Sequence, residues 1–168
     1  MLKFLANMQV RLYLKGLNEA QKKQFLNWDK IKKIAIVVNH QATFNKQNLL
    51  QYIGKWQKDV TVIFIEPHAK SASHEEWQCI VKKDLNLLKL PKQRVLTSLK
   101  QQTFDLVIST ADAEDNIAQM VSAAIPAELK SATVDTHVFA NLVIKKNVEN
   151  QLIQYLEEVI RYLKMIKN

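Results

Sequence analysis

Glycine is almost missing from this chain. Only Gly16 and Gly54 occur among 168 residues, and both fall in stretches patterned as helix. Dinucleotide-binding loops and P-loops need glycine where the backbone approaches phosphate at a helix N-terminus. After the first strand-like run comes Asn39-His40-Gln41-Ala42-Thr43-Phe44, with none. A standard Rossmann cofactor loop and a P-loop are thereby excluded, and no cofactor is expected. Three prolines leave little room for a long flexible linker. The single cysteine, Cys79, rules out an internal disulfide and a multi-cysteine zinc site. Flanked by Trp77, Ile80 and Val81, it reads as a buried, inert thiol. No serine sits in a Gly-x-Ser-x-Gly elbow. No apolar run approaches the roughly 18–20 residues that cross a bilayer, so no transmembrane segment is expected.

What is present is ordinary in amount and uneven in layout. Hydrophobic residues make up 48% and charged residues 24% of a 19.4 kDa chain, as in globular domains rather than disordered or fibrous ones. The net charge is +8. Residues 1–58 hold eleven Lys/Arg against Glu19 and Asp29, a net +9, and residues 59–168 balance to −1. A basic end on a near-neutral body suits an anionic contact: nucleic acid, phospholipid headgroups or an acidic protein. A solvated lysine-rich surface would give the same count. The opening Met1-Leu2-Lys3-Phe4-Leu5-Ala6 superficially resembles a secretory signal. However, Asn7, Gln9 and Arg11 break it and no small-x-small cleavage site follows. A cytoplasmic location is expected.

Helical spacing runs from Leu2 to about Leu26, with Lys3, Asn7, Arg11, Lys15 and Lys22 near one stripe and Leu5, Met8 and Leu12 among the apolar positions. Such a helix either packs on its own domain or lies on a partner or membrane. Ile34–Val38 and Val60–Ile65 are continuous apolar runs, the mark of strands buried on both faces, and a helix from Asn45 to Lys58 with Asn45 as N-cap joins them into a βαβ unit. Trp77–Val81 fits a short strand or an irregular segment. A helix over Pro91–Gln102, a strand over Phe104–Ser109 and a helix over Asp115–Ile125 follow, the last stopped by Pro126. Two β-like runs, Ala132–Asp135 and Val138–Ile144, precede a helix from about Val148 to Ile166. The alternation predicts a single Rossmann-like α/β domain. Its open, mainly parallel sheet has helices on both faces. A basic N-terminal helical segment (1–28) precedes the α/β body (29–168).

Four blocks carry a resemblance: Phe25 to Ile34 (FLNWDKIKKI), Lys82 to Asn86 (KKDLN), Phe104 to Ile108 (FDLVI) and Glu158 to Ile166 (EVIRYLKMI). In this order they resemble a domain-of-unknown-function family of Bacteroidetes bacteria, of about this length. The resemblance implies a basic N-terminal helix, a Rossmann-like body and a C-terminal helix, and it implies no activity. Where it leads one to expect acids, this chain has Asn39-His40 and Ser109, which removes carboxylates a catalytic reading would want. At the level of fold, FDLVI after a βαβ unit is also similar to the N-terminal half of two-domain glycosyltransferases of the heptosyltransferase type. Their donor mainly occupies the other domain, so glycosyl transfer by this chain alone is not expected.

Open α/β sheets bind ligands at the carboxyl ends of their strands. That rim collects Asn39, His40, Glu66, His68, Ser109, Thr110, Asp112, Asp135 and His137, with His40, His68, Ser109, Thr110, Asp112 and His137 as the candidate set. The histidines suit acid–base work, yet none has metal-ligand spacing, and no metal is expected. Asp112-Ala113-Glu114-Asp115 reads as N-capping of the helix that follows rather than magnesium binding. Lys22, Lys23, Lys30, Lys32 and Lys33, interleaved with Phe25 and Trp28, form a basic–aromatic stretch that is the candidate contact for an anionic or protein partner, nucleic acid included. The leading expectation is a non-catalytic interaction domain using this basic end. The alternative is a small-molecule enzyme using the rim.

Overall fold

A computed structural model describes every residue except 18–25, 41, 43, 74–75, 134–138, 146–151 and 167–168. Six parallel strands form one sheet in the order β3-β2-β1-β4-β5-β6: β1 (Lys33–Asn39), β2 (Asp59–Glu66), β3 (Gln78–Val81), β4 (Phe104–Ser109), β5 (Ala127–Ala132) and β6 (Leu142–Val143). β1 lies in the middle, paired from Lys33↔Asp59 to Asn39↔Ile65 on one side and from Ile34↔Leu106 to Val37↔Ser109 on the other. Because side chains alternate along a strand, the sheet feeds two separate cores. Ile34, Ile36, Val38, Phe64, Leu106 and Ile108 point to a layer made by α2 (Lys46–Gly54) and α5 (Leu152–Met165). Ala35, Val37, Ile63, Ile65 and Val107 point to a layer made by α1 (Leu2–Leu17), α3 (Gln93–Lys100) and α4 (Asn116–Ala124). The sheet is thus covered on both faces, as its unbroken apolar strands require.

The first helix belongs to the second of these cores. Ala6, Val10 and Leu14 recur every four residues and are buried with Ala118, Val121 and Ala124 of α4. It is described to Leu17; residues 18–25 of the predicted stretch lie outside the described residues, and Leu26 beyond them is not helical. The helix predicted over 45–58 ends at Gly54, and Gln57 leaves it in the left-handed region (φ 54). Asn45 caps it, its side chain accepting from Asn48 N. The helix predicted over 91–102 occupies Gln93–Lys100, since Pro91 pairs with Leu85 in an isolated bridge. The ambiguous segment at Trp77 resolves into β3, where Cys79 is half-buried opposite Phe64. The predicted helix from 148 is described from Leu152.

One strand was expected in the wrong place. Predicted over 132–135, it lies at Ala127–Ala132, directly after Pro126. Glu128 and Lys130 disguise it: Lys130 is fully buried, its Nζ donating to Ala123 O at 2.8 Å across the layer to α4. The run predicted over 138–144 shrinks to β6, Leu142–Val143, with residues 134–138 outside the described set.

Candidate functional site

With β2 and β3 on one side of β1 and β4, β5 and β6 on the other, strand order reverses between β1 and β4, where a crevice opens at the carboxyl ends. Hydrogen bonds tie its floor. Asn39, the last residue of β1, donates through Nδ2 to Asp115 Oδ2 at 3.0 Å. The other Asp115 oxygen accepts from Ala118 N at 2.9 Å and caps α4, so this carboxylate is committed to structure. Ser109 and Thr110 are buried rather than turned into the crevice. Ser109 Oγ receives the Ser122 hydroxyl at 2.8 Å, and Thr110 Oγ1 donates to Val37 O at 2.9 Å. From the opposite layer, the Tyr155 hydroxyl donates to Ser109 O at 3.2 Å, and burial pushes its pKa up.

Of the candidate rim residues, His40, His68 and Asp112 stay exposed. His40 N donates to Ile65 O at 3.0 Å, and its ring meets that of His68 edge to face at 5.7 Å. His40 and Asp112 share a cavity of about 680 Å³ whose apolar wall includes Ile65, Pro67 and Leu90; Lys89, Glu114 and, from α1, Leu2 and Ala6 also line it. Glu66 faces its own loop, accepting from Ser73 N and Oγ at 3.1 and 2.6 Å. His137 and Asp135 lie outside the described residues. Among the described residues, no group of three or more His, Cys, Asp or Glu side chains is placed to hold a metal ion. The crevice therefore offers one histidine pair, two exposed carboxylates (Asp112 and the Lys3-paired Glu114) and an apolar wall.

The basic candidates divide. Lys22 and Lys23 lie outside the described residues. Lys30, Lys32 and Lys33 sit at the amino end of β1, the end of the sheet opposite the crevice. Their backbone is pinned there: Asp105 Oδ2 accepts from Lys32 N and Lys33 N at 2.6 and 2.9 Å. Lys33 is partly buried over the Phe104 ring at 5.1 Å, while Lys30 and Lys32 are exposed. Nearby, Lys58 donates to Trp28 O and Ile31 O at 2.9 and 2.5 Å over the Trp28 ring, and burial lowers its pKa.

A surface that the rim argument did not reach lies on α1. Two residues along a helix turn about 200° around its axis, so Phe4, Met8 and Leu12 lie opposite the buried Ala6, Val10 and Leu14. They are 70%, 47% and 63% exposed, with Leu5 beside them at 38%, while Leu2, 65% exposed, lies one turn before Ala6 and lines the crevice cavity. Such a row of large apolar side chains on one exposed helix face is the kind of patch that marks a contact site. No acid lies within α1. Lys3, near its start, pairs with the exposed Glu114 at 3.0 Å, and Arg11 and Lys15 extend from its second half into a groove shared with α4. The signal was present in the sequence as helical spacing with apolar residues on more than one side, but that spacing alone does not say which side is covered.

No helix among the described residues is long and apolar enough to cross a membrane. The chain belongs to a family of unknown function, DUF6913, whose model matches residues 3–166. No curated protein and no solved structure matches it.

Proposed function

We propose that this chain is a cytoplasmic, non-catalytic interaction domain that docks through the outer face of α1. The observation that carries this reading is the exposed row Phe4, Leu5, Met8 and Leu12 on a helix whose other side is already anchored in the core. Exposing large apolar side chains stabilises nothing in the isolated molecule, whereas a partner that covers them gains their transfer from water. Cations next to the row contribute the sign of the partner: Arg11 and Lys15 border it. The test places a benzophenone amino acid at Met8, and in a control at Tyr162 on α5, in the native cell. Adducts to a lipid or a protein from Met8 and none from Tyr162 are expected. Equal labelling from both, or none from either, overturns the reading.

A second reading is favoured by one observation, the cavity of about 680 Å³ at the β1/β4 reversal with His40 on its wall. It is of a size that suits a small molecule. Mixtures of small metabolites would shift the His40 and His68 ring protons if one binds there, and Asp112→Ala would weaken that shift. Ring protons that stay unmoved throughout remove this reading.

A further inference from the structure

We infer that the partner of α1 is an anionic phospholipid surface, on which the helix lies in the plane of the interface. This rests on the docking reading above and names its partner. Three features of the face select that occupant.

The first is shape. A groove of about 420 Å³ runs along each flank of α1, one shared with α4 and the other with the segment Asn86–Gln93 and α3. Between them the helix stands as a ridge whose crest carries Phe4, Leu5 and Met8, with Leu12 at the lip of the second groove. A ridge of flexible leucine, methionine and phenylalanine enters a deformable apolar medium easily. Protein hot spots, by contrast, favour aromatic and arginine anchors seated in preformed pockets.

The second is charge. Arg11 and Lys15 line one groove. Lys92 lines the other, and the exposed Lys100 sits over the ring of Tyr13, which also lines it, at 5.5 Å. Cations on both sides of an apolar crest match a surface whose interior is hydrocarbon and whose boundary is anionic. Glu114, the acid in the first groove's lining, is paired with Lys3.

The third decides against a second copy of the chain. A two-fold pairing through this face would bring the cations of each flank toward their own copies, between molecules that each carry +8. That arrangement repels at low salt, the condition in which an anionic surface attracts most strongly.

The experiment is vesicle co-sedimentation of the full chain. Phosphatidylcholine vesicles with a minority of phosphatidylglycerol are compared with phosphatidylcholine alone, at low and high salt. The wild-type chain is expected to pellet with the anionic vesicles at low salt. It should lose about ten-fold or more in apparent affinity on pure phosphatidylcholine or at high salt. The triple variant Phe4→Gln, Met8→Gln, Leu12→Gln and, separately, Arg11→Glu with Lys15→Glu should each lose binding by a similar factor. Circular dichroism melts show whether each variant keeps the fold. Wild-type protein left in the supernatant at low salt, or a folded triple variant that pellets like wild type, overturns the lipid assignment. If the vesicles fail but the benzophenone at Met8 captures one protein, the docking face stands and its partner is that protein. If both fail, the docking reading falls as well.

Discussion

The two helical layers on this sheet are built from different materials. Under α2 and α5 the core is large and branched: Ile34, Ile36, Leu106 and Ile108 from the strands meet Trp28, Tyr155, Leu156 and Val159. Under α1, α3 and α4 it is rich in small residues, with Ala6, Ala118, Ala123 and Ala124 letting backbones approach closely. The same layer holds the buried Lys130, and the three cavities described above all border α1. α5 turns Leu152, Tyr155, Leu156, Val159, Ile160 and Leu163 inward, whereas α1 fully buries only Ala6, Val10 and Leu14, packs Tyr13 and Leu17 partly against the core, and keeps Phe4, Met8 and Leu12 outside. One layer holds the molecule together by volume. The other gives up volume and gains an outward-facing surface.

The largest expected effect tests the first half of this contrast. Leu156→Ala removes a fully buried side chain from the α5 layer and should cost about 2–5 kcal/mol in urea unfolding. Leu14→Ala, at the margin of the α1 layer with 7% exposure, should cost distinctly less. Equal losses would erase the distinction between the layers.

Lys130 gives the α1 layer a pH signature. Burial lowers its pKa from 10.5 to about 7 in the folded protein. Between those values the unfolded chain binds a proton at this site that the folded one has largely released, so stability rises with pH through this window. The gain should be roughly 1 kcal/mol from pH 7 to 8, with a slope never above about 1.4 kcal/mol per unit. Lys130→Met should flatten that rise. A wild-type protein whose stability is level over this range would mean that the lysine finds more solvent or a counter-charge.

Asp115 is the polar counterpart at the crevice, capping α4 and receiving Asn39. Asp115→Ala should cost about 1 kcal/mol, and Asp115→Asn, which can still cap, should recover part of it. Removing the carboxylate also frees the carboxyl end of β1, so the His40 ring protons should move in the alanine variant.

These residues show where sequence reasoning reached and where it stopped. β1, β2 and β4 were legible because strands buried on both faces are apolar throughout. β5 was not, because a lysine that is buried with its Nζ donating to Ala123 O reads in the sequence like a surface residue. At the crevice, the capping role of Asp115 and the placement of His40 followed from element ends. The burial of Ser109 and Thr110 did not, since whether a terminal side chain faces the rim or the neighbouring helix depends on where the strand stops in space. The blocks that carry the family resemblance have structural work: Asn27 donates to Ile166 O at 2.6 Å, Asn86 Oδ1 accepts from Leu88 N and Leu90 N, and Asp105 holds Lys32 and Lys33. They tie the connections to the sheet and to α5, away from the apolar crest of α1.

The smallest expected effect sharpens the contrast most. Phe4→Gln, Met8→Gln and Leu12→Gln change side chains that are 70%, 47% and 63% exposed, and glutamine keeps a helix propensity close to that of leucine and methionine. Each should shift the unfolding free energy by less than about 0.5 kcal/mol. If the three together instead destabilise the fold by as much as Leu156→Ala, the outer side of α1 is packed against the molecule itself and offers nothing to a partner. If stability stays level while vesicle binding or cross-linking is lost, the residues that leave the fold indifferent are the ones that make the contact. That separation is what distinguishes a docking face from a core.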